Sequence, residues 1–296
     1  MHFVFEPGFF SSSPVQIALV VGAVSAIVSA VVGVFTVLRG QSFAGHALTD
    51  VATTGGSGAF FYGASPLVGF LSAGVIGAGA MELVGVERLR GRDIATGVVL
   101  GFATGLSALF LYLDTTKSAA TGVSQQILFG SIFTLSSSTI PLVAVLSALT
   151  LCVLFIIYRP LLLSSVSPDL AAARGIRVRL IGVLFMLTLA VSVGLSSIAI
   201  GSILSTALLI GPAAAALRVT TNLRATLAVA TVWGVAATWL GIVLAYDSYY
   251  WFPSSQGLPV SFFIVALVFV GYLLSGVRTR RVRTNSRTSL VVEGVR

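Results

Sequence analysis

The chain reads as a series of long apolar runs separated by short polar connections, from Pro14 to Ser275. Runs of about 20 apolar residues are long enough for an α-helix to cross a bilayer of about 30 Å. The pattern therefore predicts an all-α bundle of eight or nine membrane-spanning helices. The two counts differ at residues 196–201, where two short spans could form a hairpin that does not fully cross. The predicted spans are 14–38, 42–62, 66–86, 94–113, 137–158, 179–198, 201–217, 224–246 and 259–276.

Basic residues mark alternate connections between the predicted spans. Every odd-numbered connection is basic, whereas the even-numbered connections contain only Lys117. Because cytoplasmic loops carry the excess of Lys and Arg, this alternation favours nine spans, with the N-terminus outside and the C-terminus in the cytoplasm. The arginines that set the pattern, ahead of an arginine-rich tail, are Arg39, Arg88, Arg90, Arg92, Arg159, Arg174, Arg177, Arg179, Arg218 and Arg224.

The composition excludes a soluble protein. Only 9% of the residues are charged and 56% are hydrophobic, with a mean hydropathy of +1.04, whereas soluble domains carry about 25% charged residues. Much of the net charge of +8 lies in the tail, which is usual for a membrane protein and does not indicate nucleic-acid binding.

We assign residues 1–277 to a transmembrane domain and 278–296 to a basic cytoplasmic tail that we expect to be disordered. A single cysteine, Cys152, excludes an intrachain disulfide.

The connections and the glycines predict further features of the bundle. Residues 114–136 are too long and too polar for a tight turn, and we expect a short interfacial helix at about 123–129. Glycine is abundant inside the spans, and small residues let membrane helices approach closely, so the bundle should be compact. Asp114 and Asp247 lie at the outer ends of spans, where we expect solvated loop ends, although either could meet an incoming cation.

Two ionisable side chains, His46 and Asp50, lie four residues apart inside the second predicted span. This spacing places both on one face of a helix, one turn apart. In a helix that begins near Ser42 they lie roughly 6 and 12 Å from the cytoplasmic end, at about 1.5 Å per residue. Ionisable groups at such a depth are costly and normally face a bundle interior or a water-filled path. Imidazole nitrogen together with carboxylate oxygen suits divalent first-row metals such as zinc, manganese and iron.

Two other interpretations of the pair remain open: a His–Asp hydrogen bond that stabilises helix packing, and a proton relay. Thr49 and Thr53 are candidates to line a polar path, although hydroxyls also make ordinary hydrogen bonds between helices. Two protein ligands are too few for a tight metal site. A symmetric dimer would supply two histidines and two aspartates around one axis.

A cytoplasmic segment at residues 164–176 predicts a short helix. Ser167 or Asp169 can cap it, the alanines continue it, and Gly175 ends it. Such a helix between two spans is either an interfacial turn or a docking element for a cytoplasmic partner.

The segment 201–216 predicts a tightly packed, kinked helix, because Pro212 removes a backbone donor within a run of small residues that begins at Gly201. Elsewhere the chain contains neither a nucleotide-binding P-loop nor a candidate nucleophile triad. We therefore do not expect it to be an enzyme by itself.

These segments, in this order and spacing, resemble the permease subunits of ATP-binding-cassette (ABC) importers for zinc, manganese and iron, over roughly residues 14–276. That family has an arginine after the first span and Gly-Asp-x3-His in the second. It also has a Leu-Phe-Gly segment, a Ser-Pro-Asp-x-Ala-x3-Gly cytoplasmic helix and a Gly-x-Leu-Leu-x-x-Ala-Leu-Leu-x-x-Pro-Ala-Ala run. The matching residues here are Arg39, Gly45, Leu128, Phe129, Gly130, Ser167, Pro168, Asp169, Ala171, Gly175, Gly201, Ala207, Leu208, Leu209, Pro212, Ala213 and Ala214.

The resemblance implies a multi-pass permease of a bacterial plasma membrane that works as a homodimer or beside a related chain. It also implies two kinds of protein partner: cytoplasmic ATPase subunits, and an extracytoplasmic metal-binding lipoprotein or periplasmic protein. The chain is expected to contact membrane lipid and not to bind nucleic acid. Pro168, Asp169, Ala171 and Gly175 would form the coupling helix that docks on the ATPase. No resident cofactor is expected, since the divalent metal ion is the transported substrate.

One pair of positions departs from the family pattern, because the chain has His46 and then Asp50 where the family has Asp and then His. One nitrogen and one carboxylate per chain are retained, so metal handling is kept while the choice among zinc, manganese and iron stays open. The main competing interpretation is an ion-coupled secondary transporter that uses the pair as a cation or proton relay. Such transporters often show inverted repeats, and no convincing repeat relates the two halves here. A permease for metal chelates or other organic cargo and a structural scaffold are weaker alternatives.

Overall fold

A computed structural model describes residues 9–83, 92–117, 121–130, 132–249, 251 and 257–293. All regular secondary structure in these residues is helical, which confirms the predicted all-α class. Two 3₁₀ turns lie at Phe9–Ser11 and Ile132–Thr134. The α-helices are α1 (Ser13–Leu38), α2 (Ser42–Phe61), α3 (Pro66–Leu83), α4 (Arg92–Lys117), α5 (Thr121–Phe129), α6 (Thr139–Val166), α7 (Pro168–Ala173), α8 (Val178–Ile200), α9 (Ser202–Val219), α10 (Leu223–Ser248) and α11 (Val260–Glu293).

Each of the nine predicted spans coincides with one long helix. Within the described residues, six of these helices are long and apolar enough to cross a membrane by length and composition: α1, α4, α6, α8, α10 and α11. The apolar parts of α3 and α9 are shorter, and α2 carries the polar residues of the candidate site. The two remaining helices, α5 and α7, are the short ones expected between spans.

Helix contacts show that the spans run in the directions that nine consecutive crossings require. α1, α3, α6, α9 and α11 point one way, and α2, α4, α8 and α10 point the other way. The pairs that establish this are Thr54–Ser107 and Gly58–Phe110 (α2 and α4, parallel), Gly45–Leu209 and Thr49–Thr206 (α2 and α9, antiparallel), Gly77–Val51 and Gly55–Gly69 (α2 and α3, antiparallel), Gly74–Ala190 and Gly194–Leu71 (α3 and α8, antiparallel), Ser29–Ser196 and Arg39–Phe185 (α1 and α8, antiparallel), Val21–Val143 and Phe35–Tyr158 (α1 and α6, parallel), Leu19–Trp239 and Gly22–Thr238 (α1 and α10, antiparallel), and Gly241–Ile264 and Gly271–Trp233 (α10 and α11, antiparallel).

Close backbone contacts confirm that the bundle is compact. A side chain at Gly33 of α1 would collide with the carbonyl group of Leu209 on α9. Gly55 of α2 and Gly69 of α3 face each other in the same way, and a Cβ on either would meet the backbone of the other. Glycine is therefore required at these positions because another backbone occupies the space.

The expected interfacial helix is present as α5, and its C-terminal end packs against the junction of α8 and α9. Gly201 forms that junction with φ of +86°. A Cβ there would also collide with the carbonyl oxygen of Leu128 and the amide of Gly130. Gly201 is thus the point at which the hairpin of α8 and α9 meets the end of α5.

The last helix is longer than the last predicted span. α11 continues past the apolar residues to Glu293, and the division into a transmembrane domain and a basic tail at residue 277 stays a prediction. Residues 277–293 contain neither Gly nor Pro, so nothing in the local sequence ends the helix where the charge begins. Residue 277 therefore marks the end of the apolar span and not the end of the helix.

Candidate functional site

The candidate site lies on one partly exposed stripe of α2. This helix begins at Ser42, as expected, and carries His46, Asp50 and Thr54 at successive turns. All three side chains are half-buried, whereas the residues between them are mostly buried against the bundle. The stripe therefore faces outward from the single chain while the remainder of α2 packs inside.

The imidazole of His46 is held from α9. Its Nδ1 lies 3.2 Å from the hydroxyl oxygen of Thr206. The hydroxyl of Thr49 lies 3.5 Å from the same oxygen and donates to the carbonyl of Gly45 at 3.0 Å. Thr206 thus joins both residues of α2 to the packed segment of α9.

The carboxylate of Asp50 is held from α4. The hydroxyl of Thr104 donates to Asp50 Oδ2 at 2.5 Å. Ser107 donates to the backbone carbonyl of Asp50 at 3.2 Å, and its hydroxyl lies 2.7 Å from that of Thr54. Thr54 also donates to the carbonyl of Ala103 at 2.8 Å. A hydroxyl-rich seam between α2 and α4 therefore fixes the position of the carboxylate.

The two ionisable side chains are oriented separately, one from each side of α2. Within the described part of the chain, His46 Nε2 and Asp50 Oδ1 have no hydrogen-bond partner, so one nitrogen and one oxygen stay available. No group of three or more His, Cys, Asp or Glu residues that could hold a metal occurs in the described residues. The described part of one chain therefore places two candidate ligands on this stripe, and their role in binding metal stays a prediction.

The other predicted path residue, Thr53, has a local hydrogen bond. The residue is 4% exposed, and its hydroxyl donates to the carbonyl of Thr49 at 2.8 Å. This bond within α2 satisfies the hydroxyl, and a role in lining a path stays a prediction.

Three residues that hold the site were not singled out from the sequence: Thr104, Ser107 and Thr206. The available signal was weak. Thr104 and Ser107 are hydroxyl residues in an apolar span, three positions apart and thus on one helix face. Thr206 lies within a run that the sequence indicates as packing alone.

The expectation that Asp114 and Asp247 are solvated loop ends is wrong. Their side chains are 0% and 4% exposed, because α4 and α10 continue to Lys117 and Ser248. Neither carboxylate oxygen of Asp114 has a hydrogen-bond partner among the described residues. Asp114 continues the buried stripe of α4 that contains Ala103 and Ser107. It therefore lies at the far end of the helix that contacts Asp50.

The short helix α7 is closed at both ends by its own sequence. Ser167, rather than Asp169, is the N-cap, and its hydroxyl accepts from the amide of Leu170 at 3.3 Å. Gly175 has φ of +78°. Its amide donates to the carbonyl oxygen of Ala172 at 2.9 Å, and the amide of Ile176 donates to the carbonyl oxygen of Ala171 at 3.0 Å. This is the usual way in which a glycine ends a helix.

The outer face of α7 is free within the chain. Ala171 is fully buried and anchors the helix, whereas Pro168, Asp169, Leu170 and the residues from 172 to 175 are exposed. The helix therefore presents a small surface that carries the acidic side chain of Asp169, with the basic side chain of Arg174 at its C-terminal end.

Arg39 connects the start of the site helix to the segment before α7. Its guanidinium donates to Gln41 Oε1 and to the hydroxyl of Ser164, both at 3.2 Å. It also lies 5.4 Å from the ring centre of Phe185 on α8. The connection between α1 and α2 is thereby bonded to the last turn of α6.

α9 has the internal proline expected for a kinked helix. Pro212 is buried within Ser202–Val219, so the helix lacks one backbone donor there. Gly201 and Pro212 thus stand at the start and in the middle of the helix that carries Thr206.

Comparisons with known proteins agree over almost the whole chain. The family model described as ABC 3 transport family matches residues 12–275. The manganese transport system membrane protein MntC of Halalkalibacterium halodurans is 32% identical over 240 residues, or 80% of this chain and 81% of that protein. The "Probable iron transport system membrane protein" of Haemophilus influenzae is 27% identical over 262 residues, or 86% and 93% of the two chains.

The fold is also similar to a solved structure, PsaBC from Streptococcus pneumoniae in complex with Fab. The TM-score is 0.73 at 26% sequence identity, and the similarity covers 90% of this chain and 92% of the other. The resemblance inferred from the sequence motifs is therefore confirmed in both sequence and fold.

Proposed function

Because the chain belongs to the ABC 3 transport family, we propose that it is the permease subunit of an ATP-driven importer for a divalent transition-metal ion. Manganese is the first candidate substrate and iron the second, since similar proteins are named for these metals. Zinc is retained for testing because imidazole is among its preferred ligands. The observation that carries the proposal is the pair His46 and Asp50, each oriented by a hydroxyl from a different helix.

The bonding of the pair suits metal coordination. Ligating histidines usually donate their second ring nitrogen to a nearby acceptor, which fixes the ring and the tautomer. Thr206 can accept such a bond from His46 Nδ1, which leaves Nε2 for the metal. Thr104 likewise holds Asp50 Oδ2 and leaves Oδ1. Substitution of such supporting partners in metal sites typically costs 10–100-fold in metal affinity or activity.

A second copy of the chain completes the site in this proposal. The stripe of His46 and Asp50 is partly exposed in the single chain. On the neighbouring α4, a Cβ at Gly97, Gly101 or Gly105 would meet nothing within 4 Å. Small residues spaced by four allow close packing of two membrane helices. A dimer formed across this face would bring two histidines and two aspartates around one axis, and four ligands suffice for a divalent ion.

The remaining parts of the chain fit partners on both sides of the membrane. The exposed face of α7 is the proposed contact with a cytoplasmic ATPase, so the chain itself does not hydrolyse ATP. Hydrogen bonds from Arg39 link the end of α6, just before α7, to the start of α2. They give the proposed ATPase contact a physical connection to the helix that carries His46 and Asp50. An extracytoplasmic metal-binding protein is the proposed partner on the other side of the membrane.

The decisive experiment measures uptake of radioactive manganese, iron and zinc in parallel in cells that express the chain with its ATPase. We expect manganese uptake, abolished by His46→Ala and by Asp50→Ala at unchanged amounts of protein in the membrane. Unchanged uptake of all three metals in both variants would refute the assignment of the pair.

Energy depletion separates this proposal from the competing one. An ABC importer stops when ATP is removed and continues when the proton gradient is collapsed. An ion-coupled secondary transporter that uses the pair as a relay shows the opposite dependence.

A further inference from the structure

A groove of about 1130 Å³ runs along the outside of the bundle between α1, α6 and α10. Its floor is aromatic, since Tyr158 packs edge-on against Phe35 with 5.9 Å between the ring centres. Val31, Leu151 and Leu227 continue the apolar lining. The volume exceeds the roughly 300–1,000 Å³ of pockets that hold small molecules. The groove is therefore large enough for a ligand with a long apolar part.

The groove adjoins an exposed apolar face of α6. Beside it, one face of α6 is exposed from position 141 to position 156, and no residue of this segment is charged. On this stripe Leu149 is 58% exposed, Phe155 83% and Ile156 71%. A contiguous apolar surface of this kind marks a membrane or protein contact. None of the lining residues comes from α2 or α4, so a dimer formed at the metal site would leave the groove facing the bilayer.

Two arginines stand at one end of this apolar groove. Arg159 lies 20 positions after the start of α6, or about 30 Å at 1.5 Å per residue, which is the full depth of a hydrocarbon core. Arg224 lies in the first turn of α10, which runs the opposite way. Both side chains are exposed and line the groove. Within the described residues neither guanidinium has an ion-pair partner.

We propose that this groove binds an anionic phospholipid, with its phosphate on Arg159 and Arg224 and an acyl chain along Phe35 and Leu151. Basic pockets between membrane helices on the cytoplasmic side attract anionic head groups, at about 1 kcal/mol for each Lys or Arg near the surface. The assignment to the cytoplasmic leaflet rests on the proposed orientation of the permease. Binding itself does not depend on transport, so the two can fail separately.

The chain offers a probe at the right place, because its single cysteine, Cys152, is exposed and lines the groove. The full chain is labelled there with a small fluorophore and placed in nanodiscs. Quenching is then measured with brominated phosphatidylglycerol, which is anionic, and with brominated phosphatidylcholine, which is zwitterionic. We expect the anionic lipid to quench at a much lower mole fraction, by roughly 25-fold for two arginines at about fivefold each.

Matched variants identify the groups responsible. Arg159→Gln with Arg224→Gln should remove the preference for the anionic lipid. Arg177→Gln with Arg179→Gln should retain it, since these exposed arginines lie at the start of α8 and do not line the groove. Soluble glycerol phosphate should not compete, because it lacks the acyl chain.

Three outcomes would overturn the proposal. Equal quenching by both lipids in the unmodified chain would show that the groove has no charge selectivity. Loss of the preference in both arginine pairs would show a general attraction to the basic side of the protein. Absence of quenching by either lipid, with cross-linking between Cys152 of two copies, would assign the groove to a protein contact.

Discussion

The hydroxyls of Thr206 and Thr104 orient the two proposed metal ligands, His46 and Asp50 respectively. Replacement of either by valine removes one orienting bond and leaves the ligand itself in place. We expect Thr104→Val and Thr206→Val each to raise the metal concentration for half-maximal uptake by roughly 10–100-fold. Uptake of radioactive manganese over a concentration series measures this effect.

Two further threonine variants make this prediction specific. Thr238→Val removes a fully buried hydroxyl that bonds only within α10, and it should leave uptake near that of the unmodified chain. Equal losses in Thr238→Val and Thr104→Val would attribute the effect to helix packing. Thr53→Val tests the path-lining prediction, since its hydroxyl donates within α2. Unchanged uptake in that variant would remove Thr53 from the path.

The difference between predictable and unpredictable residues of the site has a physical origin. His46 and Asp50 could be found from the sequence, because ionisable side chains are rare and expensive inside apolar spans. Thr104, Ser107 and Thr206 could not, since hydroxyls in membrane helices commonly bond to their own backbone. Only the fold shows which threonine turns toward another helix. Burial of Asp114 was missed for a related reason, because α4 ends later than its apolar pattern.

At the level of elements, the long helices followed from apolar length, while their ends depended on local backbone chemistry. The nine apolar runs predicted nine helices because each must satisfy its backbone within lipid. α11 ends beyond its predicted span, because a change from apolar to basic residues ends a span without ending a helix. The cap of α7 was left open between Ser167 and Asp169, because both residue types accept from free amides at a helix start.

α7 yields a prediction about coupling. Gly175 has φ of +78°, and a left-handed conformation costs other residues about 1–2 kcal/mol. Gly175→Ala should therefore loosen the end of α7 and reduce both co-purification of the ATPase and ATP-dependent uptake. Gly79→Ala on α3 is the control, since a Cβ there meets nothing within 4 Å. Full retention of the ATPase by the Gly175 variant would exclude α7 as the contact, or show that its end tolerates the strain. Asp169→Lys, which reverses an exposed charge without altering the backbone, separates these two results.

For the whole molecule, the dimer is the arrangement on which the metal site depends. The single chain supplies the two proposed ligands, and no larger group of metal-binding side chains occurs among the described residues. Its open glycine face on α4 adjoins the Asp50 side of the site. Gly101→Leu places a bulky side chain on that face, at a position where the Cβ meets no atom of the same chain within 4 Å. We expect it to convert the purified protein to monomers and to abolish uptake, while the chain still reaches the membrane. Mass measurement of the protein in nanodiscs, together with uptake by cells, checks both effects.

The same change on another face separates the dimer contact from general bulk. Ala148→Leu changes a residue on the exposed apolar stripe of α6, outside both the site and the groove between α1, α6 and α10. It should leave the dimer and uptake unchanged, because a larger apolar side chain there meets only lipid. A stable dimer with normal uptake in Gly101→Leu would place the symmetry axis elsewhere. The pair His46 and Asp50 would then have to bind its metal with ligands from a single chain, and two side chains leave most of the coordination to water. Such a site would bind weakly, so a dimer across α4 is the arrangement in which a tight metal site and the observed fold agree.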